Sequence, residues 1–145
     1  DEPYSGKLVV HEQIHKITSE FLYKNGKKHG LQIKKYENRE LAEERYYTNG
    51  HKSGVHKGWW ENGIPRFIYH FNNKGEYHGS VVEWYKNGQQ SKAFNFKKGK
   101  ENGSQKMWRM DCKIRANYVT KNGERFGLIG LKKCYTVTTK DENYK

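Results

Sequence analysis

The chain has 145 residues, with 28 lysines and arginines against 16 acidic residues and a formal net charge of +12 at pH 7. Hydrophobic residues make up 33% and mean hydropathy is −1.19, too little for a deep core, and no stretch approaches the roughly 20 apolar residues of a membrane-spanning helix. Aromatic residues, at 14%, together with regular turn signals exclude a disordered polyelectrolyte. One thin domain held by large rings remains, since each ring can bury about 150–250 Å².

Three series of turn-type residues run in phase. Gly6, Gly30, Gly54, Gly79, Gly103 and Gly127 form one, and Gly26, Gly50, Gly75, Gly99 and Gly123 a second, each with steps of 24 and a single step of 25. Asn38, Asn62, Asn87 and Asp111 mark the middle of each unit. A fixed period of this size signals stacked supersecondary units, which form extended binding surfaces more often than catalytic sites.

In chain order, residues 4–23 read as a degenerate first repeat, poor in rings. Asn25-Gly26 then opens a run of repeats over 24–131. Asn-Gly between extended runs is a strong hairpin signal, because a type I′ turn needs positive φ at both central residues. Asn25-Gly26, Asn49-Gly50 and Asn122-Gly123 fit this reading at one end of the unit, and Asn62-Gly63 and Asn87-Gly88 fit it at the other. Asn38-Arg39 and Asp111-Cys112 depart from it, and the latter reads, like the first unit, as a degenerate or capping copy. The stretch from Arg39 to Arg45 has helical propensity, but its place in the repeat makes it a strand.

Alternation puts Phe67, Tyr69 and Phe71 on one face of a strand, followed by Phe94 and Phe96, then Ile114, Ala116 and Tyr118. Trp59, Trp84 and Trp108 are equivalent to one another, as are Tyr36, Trp60 and Tyr85. The expected architecture is all-β: an elongated, twisted single-layer antiparallel sheet of five to six consecutive hairpins. It forms a single repeat domain over 1–145, with 132–145 as cap and tail. The apolar run from Gly127 to Val137 suits closure of the array.

Side chains that carry chemistry are sparse. His11 and His15 would share a strand face about 13 Å apart, too far for one metal ion. No Ser-His-Asp or Cys-His signature and no phosphate-binding glycine loop is present. The chain therefore reads as non-enzymatic, with no metal site and no cofactor. Cys112 and Cys134 leave both a bridge and two thiols open. Lysines cluster at turns, as in Lys27-Lys28 and Lys97-Lys98, which disfavours nucleic acid as partner but keeps an acidic lipid in view. The aromatic ladder is the one constellation that suggests a partner-binding surface: Trp59, Trp60, Trp84, Tyr85, Trp108, Tyr69 and Phe94. The chain starts at Asp1 without methionine, an expectation slightly in favour of an exported or envelope-anchored mature protein over a cytoplasmic one.

The segments YKNGKKHG, YYTNGHKSG, WWENG, EWYKNG and VTKNGERFG resemble the MORN repeat in its bacterial variant form. The resemblance covers 20–131 well and 4–19 faintly. It implies a row of β-hairpins with scaffolding roles: protein–protein interaction, dimerisation or, for some members, acidic-phospholipid binding. Many such bacterial proteins carry an antitoxin label, which implies neutralisation of a cognate toxin as an alternative role. Choline-binding repeats are also rich in Trp, Tyr and Gly, but the 24-residue period and the paired Asn-Gly turns disfavour them.

Overall fold

The computed structural model describes residues 2–127. Thirteen strands lie among them: β1 (Gly6–Glu12), β2 (Ile17–Lys24), β3 (Lys27–Lys28), β4 (Gly30–Lys35), β5 (Leu41–Thr48), β6 (His51–Trp59), β7 (Pro65–Phe71), β8 (Tyr77–Trp84), β9 (Gln90–Lys97), β10 (Lys100–Glu101), β11 (Gly103–Trp108), β12 (Ile114–Lys121) and β13 (Glu124–Gly127). They form one open antiparallel sheet in the order β1-β2-β4-β5-β6-β7-β8-β9-β11-β12-β13, with β3 continuing the hairpin to β2 and β10 the hairpin to β9. The all-β array of consecutive hairpins is thus observed. The helix-prone segment after Arg39 is the start of β5. The proposed cap at 132–145, and with it Cys134, lies outside the described residues.

The two ends of each unit turn differently, which corrects the sequence expectation. At one end both central residues have positive φ, the type I′ arrangement: Asn25 and Gly26 at 51° and 77°, Asn49 and Gly50 at 47° and 86°, Lys98 and Gly99 at 50° and 79°, Asn122 and Gly123 at 53° and 80°. At the mid-unit turns only the fourth residue is left-handed, at Gly63 (80°) and Gly88 (86°), while Asn62 and Asn87 are not. The amide of that residue bonds back three positions, from Gly63 to the Trp60 carbonyl at 2.9 Å and from Gly88 to the Tyr85 carbonyl at 3.0 Å. Asn62 Oδ1 accepts from Ile64 N–H at 3.0 Å, and Asn87 Oδ1 from Gln89 N–H at 3.0 Å. This is a type I turn followed by a left-handed bulge residue, with Asn as local acceptor.

The departures at Asn38-Arg39 and Asp111-Cys112 are therefore not failed turns. Asn38 and Asp111 keep the acceptor role, bonding Glu40 N–H at 3.0 Å and Lys113 N–H at 3.1 Å. Arg39 and Cys112 simply occupy the left-handed position, at φ 70° and 66°. The single step of 25 has the same origin. The loop at 72–75 replaces a two-residue turn with the longer type, Gly75 at φ 81° supplying the left-handed residue.

A second irregularity recurs in the first strand of each unit, at the other glycine series. Gly30, Gly54, Gly79 and Gly103 have φ of 92°, 68°, 108° and 93°. Around them the strand carries extra residues: Tyr46 pairs Ser53 and Glu44 pairs Lys57, so two steps on β5 face four on β6. Tyr69 pairs Val81 and Phe71 pairs Tyr77, the same offset between β7 and β8. These bulges bend the sheet locally and disrupt the ladder with the neighbouring strand. The apolar core is thin, comprising Ala42, Phe67, Val81, Trp84, Trp108 and Ile114 among the buried side chains.

The turn geometry sets a direct test. Relieving the left-handed arginine with Arg39→Gly should raise stability by up to about 1 kcal/mol, and Gly63→Ala should lower it by about 1 kcal/mol. Thermal melts of the two variants would show opposite shifts.

Candidate functional site

The strand alternation that buries aromatic rings builds one continuous row across the sheet. Tyr47 lies 5.9 Å from the His56 ring, and His56 4.5 Å from Phe71. Phe71 reaches Tyr77 at 4.9 Å, Tyr77 reaches Phe96 at 5.1 Å, and Phe96, Phe94 and Tyr118 follow at 6.2 and 6.3 Å. Phe67 and Tyr69 stack at 4.4 Å on the same face. Sequence reasoning placed the rings of the second strand in each unit on this row but missed His56 and Tyr77, which enter it from the first strand.

The row is not bare. Cations lie over its rings along the array: Lys28 over Phe21 at 4.7 Å and Tyr47 at 5.3 Å, Arg45 over Phe67 at 4.8 Å, Lys52 over Phe71 at 5.6 Å, Lys92 over Phe94 at 5.2 Å and Arg125 over Tyr118 at 5.0 Å. Such contacts contribute about 0.5–1 kcal/mol at exposed sites. Carboxylates tie several of these cations in place. Glu43 bonds Arg45 at 2.8 Å, Glu83 meets Lys92 at 3.4 Å, and Glu101 bonds Arg125 at 3.0 Å. Burial works to raise the Glu43 pKa, but the hydrogen bond and charge of Arg45, aided by Lys34 and Arg66, hold it below the ordinary value. Burial and the hydrogen bond to Glu83 push the Tyr69 hydroxyl well above the usual tyrosine range.

The predicted contact residues divide by position. Trp84 and Trp108 are 8% and 6% exposed and belong to the core of the sheet. Trp59, Tyr69 and Phe94 are partly covered. Trp60 and Tyr85 sit at the mid-unit turns and reach the next unit. Trp60 Nε1–H donates to the Trp84 carbonyl at 3.1 Å, Tyr85 O–H to the Trp108 carbonyl at 2.8 Å, and Tyr36 O–H in the same way to the Trp59 carbonyl at 2.5 Å. Trp60 keeps its ring between two cations, Arg66 at 5.0 Å and Lys86 at 5.4 Å. The histidines before the repeat glycines are also structural: His29 Nδ1 accepts from Asn49 N–H at 3.1 Å and His78 Nδ1 from Lys98 N–H at 3.2 Å. Ser5 Oγ does the same for Asn25 N–H at 2.9 Å.

Sequence reasoning missed a column two residues beyond each bulge glycine: Gln32, His56, Val81 and Gln105. Gln32 and Gln105 are buried, and each bonds both backbone groups of one residue on the neighbouring strand. Gln32 accepts from Leu22 N–H at 2.8 Å and donates to its carbonyl at 3.0 Å; Gln105 accepts from Asn95 N–H at 3.0 Å and donates to its carbonyl at 2.7 Å. Each carbonyl also accepts a backbone bond, from His29 N–H to Leu22 at 3.0 Å and from Asn102 N–H to Asn95 at 2.9 Å, so the group the bulge leaves without a ladder partner is the N–H. His56 fills the equivalent place from Nε2–H alone, shared between the Tyr46 carbonyl at 2.8 Å and the Ser53 carbonyl at 3.2 Å, while its Nδ1 is buried without a partner. The phase of the column with the glycine series was the available signal.

No protein-family model matches the chain, and no curated protein matches it in sequence.

The His56 site generates a pH prediction. Burial, with the Arg45 and Lys52 charges, lowers its pKa from 6.5 to about 4 despite the bond to the Tyr46 carbonyl. A base with a depressed folded pKa binds fewer protons folded than unfolded between those values. Stability should therefore be full above about pH 6.5 and fall by roughly 3 kcal/mol as pH drops through 4. In His56→Gln, which copies Gln32 and Gln105, denaturant midpoints should lose this component of the pH dependence.

Proposed function

We propose that this chain is a non-enzymatic, MORN-like repeat scaffold that binds a protein partner across its cation-capped aromatic face. One observation carries the reading. Residues that repeat hold one unit to the next, whereas the cations, carboxylates and rings displayed between units change from copy to copy. Glycines, turn acceptors and the Tyr36, Trp60 and Tyr85 series define the scaffold. The place held by Lys28 and Lys52 becomes Tyr77, Glu101 and Arg125 in later copies, as a surface that distinguishes partners would require. The exposed part of Trp60, held between Arg66 and Lys86, is the best-placed aromatic anchor.

A second reading follows from the net charge of +12: attachment to anionic phospholipid through the basic side chains. Salt separates the two, because attraction between exposed charges is screened within about 10 Å at 0.1 M. Panning a random peptide display library against the immobilised chain should enrich a sequence consensus whose binding persists in moderate salt and weakens in Trp60→Ala. Failure to enrich any consensus, together with sedimentation on phosphatidylserine vesicles at low salt only, would overturn the scaffold reading in favour of lipid.

A further inference from the structure

The basic half of the aromatic face contains a recess whose charge the chain does not balance. A cavity of about 310 Å³ opens among β2 to β6, with Lys28, Lys34, Arg45 and Lys52 on its walls and Glu43 as its one carboxylate. Glu43 is already engaged, by Arg45 Nε–H at 2.8 Å and Lys34 Nζ at 4.0 Å. Lys28 and Lys52 form no ion pair with any carboxylate among the described residues, and the contacts of their ammonium groups are with ring faces. They occupy the same place in successive repeats and flank Tyr47, which pairs with Lys52 in register and lies beneath the Lys28 ammonium. A ring face holds an ammonium group and partly desolvates it without neutralising it. Two cations are thus fixed on either side of an aromatic floor, each with donor capacity to spare.

We propose that this recess receives glutamate or aspartate side chains from an acidic, extended segment of a protein partner. The inference rests on the protein-binding reading above and specifies its chemistry. Two features favour carboxylates over phosphate. The cations without a carboxylate partner are the two ammonium groups, whereas Arg45 spends its Nε–H on Glu43 and lays its guanidinium over the Phe67 ring. The Glu43 carboxylate also lies inside the cavity, where it repels a dianion more than a monoanion. Phe21 and Tyr47 offer apolar surface to the methylene groups of an acidic side chain, while the paired lysines meet its head. Sites in successive repeats suit acidic residues presented along an extended strand rather than a single compact ligand.

The test is a fluorescence-anisotropy titration of the chain with a labelled oligoglutamate peptide. The double variant Lys28→Gln/Lys52→Gln should weaken binding roughly tenfold or more, and Lys28→Arg/Lys52→Arg should retain it. Lys113→Gln/Lys121→Gln removes the same charge from exposed positions in another repeat and should leave affinity within about twofold of the parent if long-range charge is screened. Equal losses in the two glutamine variants, no peptide binding by the parent, or displacement of the peptide by inorganic phosphate or by phosphatidylserine vesicles at matched charge would each overturn the proposal. A display consensus that is not acidic and is indifferent to Lys28→Gln/Lys52→Gln would overturn it while leaving the scaffold reading intact. Absence of any consensus, together with sedimentation on phosphatidylserine vesicles at low salt only, would remove both.

Discussion

The sheet depends on a side-chain amide standing in for a peptide group. Where Gly30 and Gly103 bulge the first strand of a unit, one N–H on the neighbouring strand loses its ladder acceptor. Gln32 supplies that acceptor at Leu22 and Gln105 at Asn95, and each amide also donates to a carbonyl that a backbone N–H already reaches. A buried donor or acceptor left unmade costs about 1–3 kcal/mol, a large fraction of the stability of a thin domain with so few buried apolar side chains. The glutamine clamps therefore accompany the bulges at Gly30 and Gly103, two residues beyond each glycine, whereas the Gly79 unit carries Val81 at that place. In that unit the His70 ring contacts the bulged strand, its Nδ1 lying 2.8 Å from the Ser80 carbonyl.

The other recurrent contacts tie unit to unit at similar separations. Ser5, His29 and His78 each cap a turn 20 residues ahead, while Tyr36, Trp60 and Tyr85 each reach a carbonyl 23 or 24 ahead. Stability in such an array comes from nearest-neighbour docking. The aromatic row supplies its apolar part, and the overlying cations keep that row from being a greasy open face of the kind that aggregates. The same cations give the face its chemical character, so the groups that protect the sheet are the ones that a partner would read.

The architecture was legible because glycines and asparagines mark turns by backbone necessity, and the period of 24 repeats that mark several times. Turn type was less legible. Asn62-Gly63 looks like Asn49-Gly50 in sequence, yet Asn62 spends its side chain as a local acceptor and stays in the right-handed region, leaving only Gly63 at positive φ. Arg39 and Cys112 appeared to be defects for the same reason, although their turns keep the acceptor that defines the geometry. Among the candidate contact residues, spacing alone could not separate Trp84 and Trp108, which are buried, from Trp60, which sits at a turn between cations. The glutamine column was hidden because glutamine on a strand ordinarily reads as a solvated side chain, and only the bulge geometry shows what it bonds.

Amide hydrogen exchange of Asn95 in the parent chain and in Gln105→Leu tests the clamp most directly, since leucine preserves approximate volume and removes both bonds. The account requires Asn95 N–H to be protected in the parent and to lose protection selectively in the variant, while Leu22 N–H, clamped by Gln32, stays protected. Unchanged protection of Asn95, or a uniform loss across both positions, would contradict it.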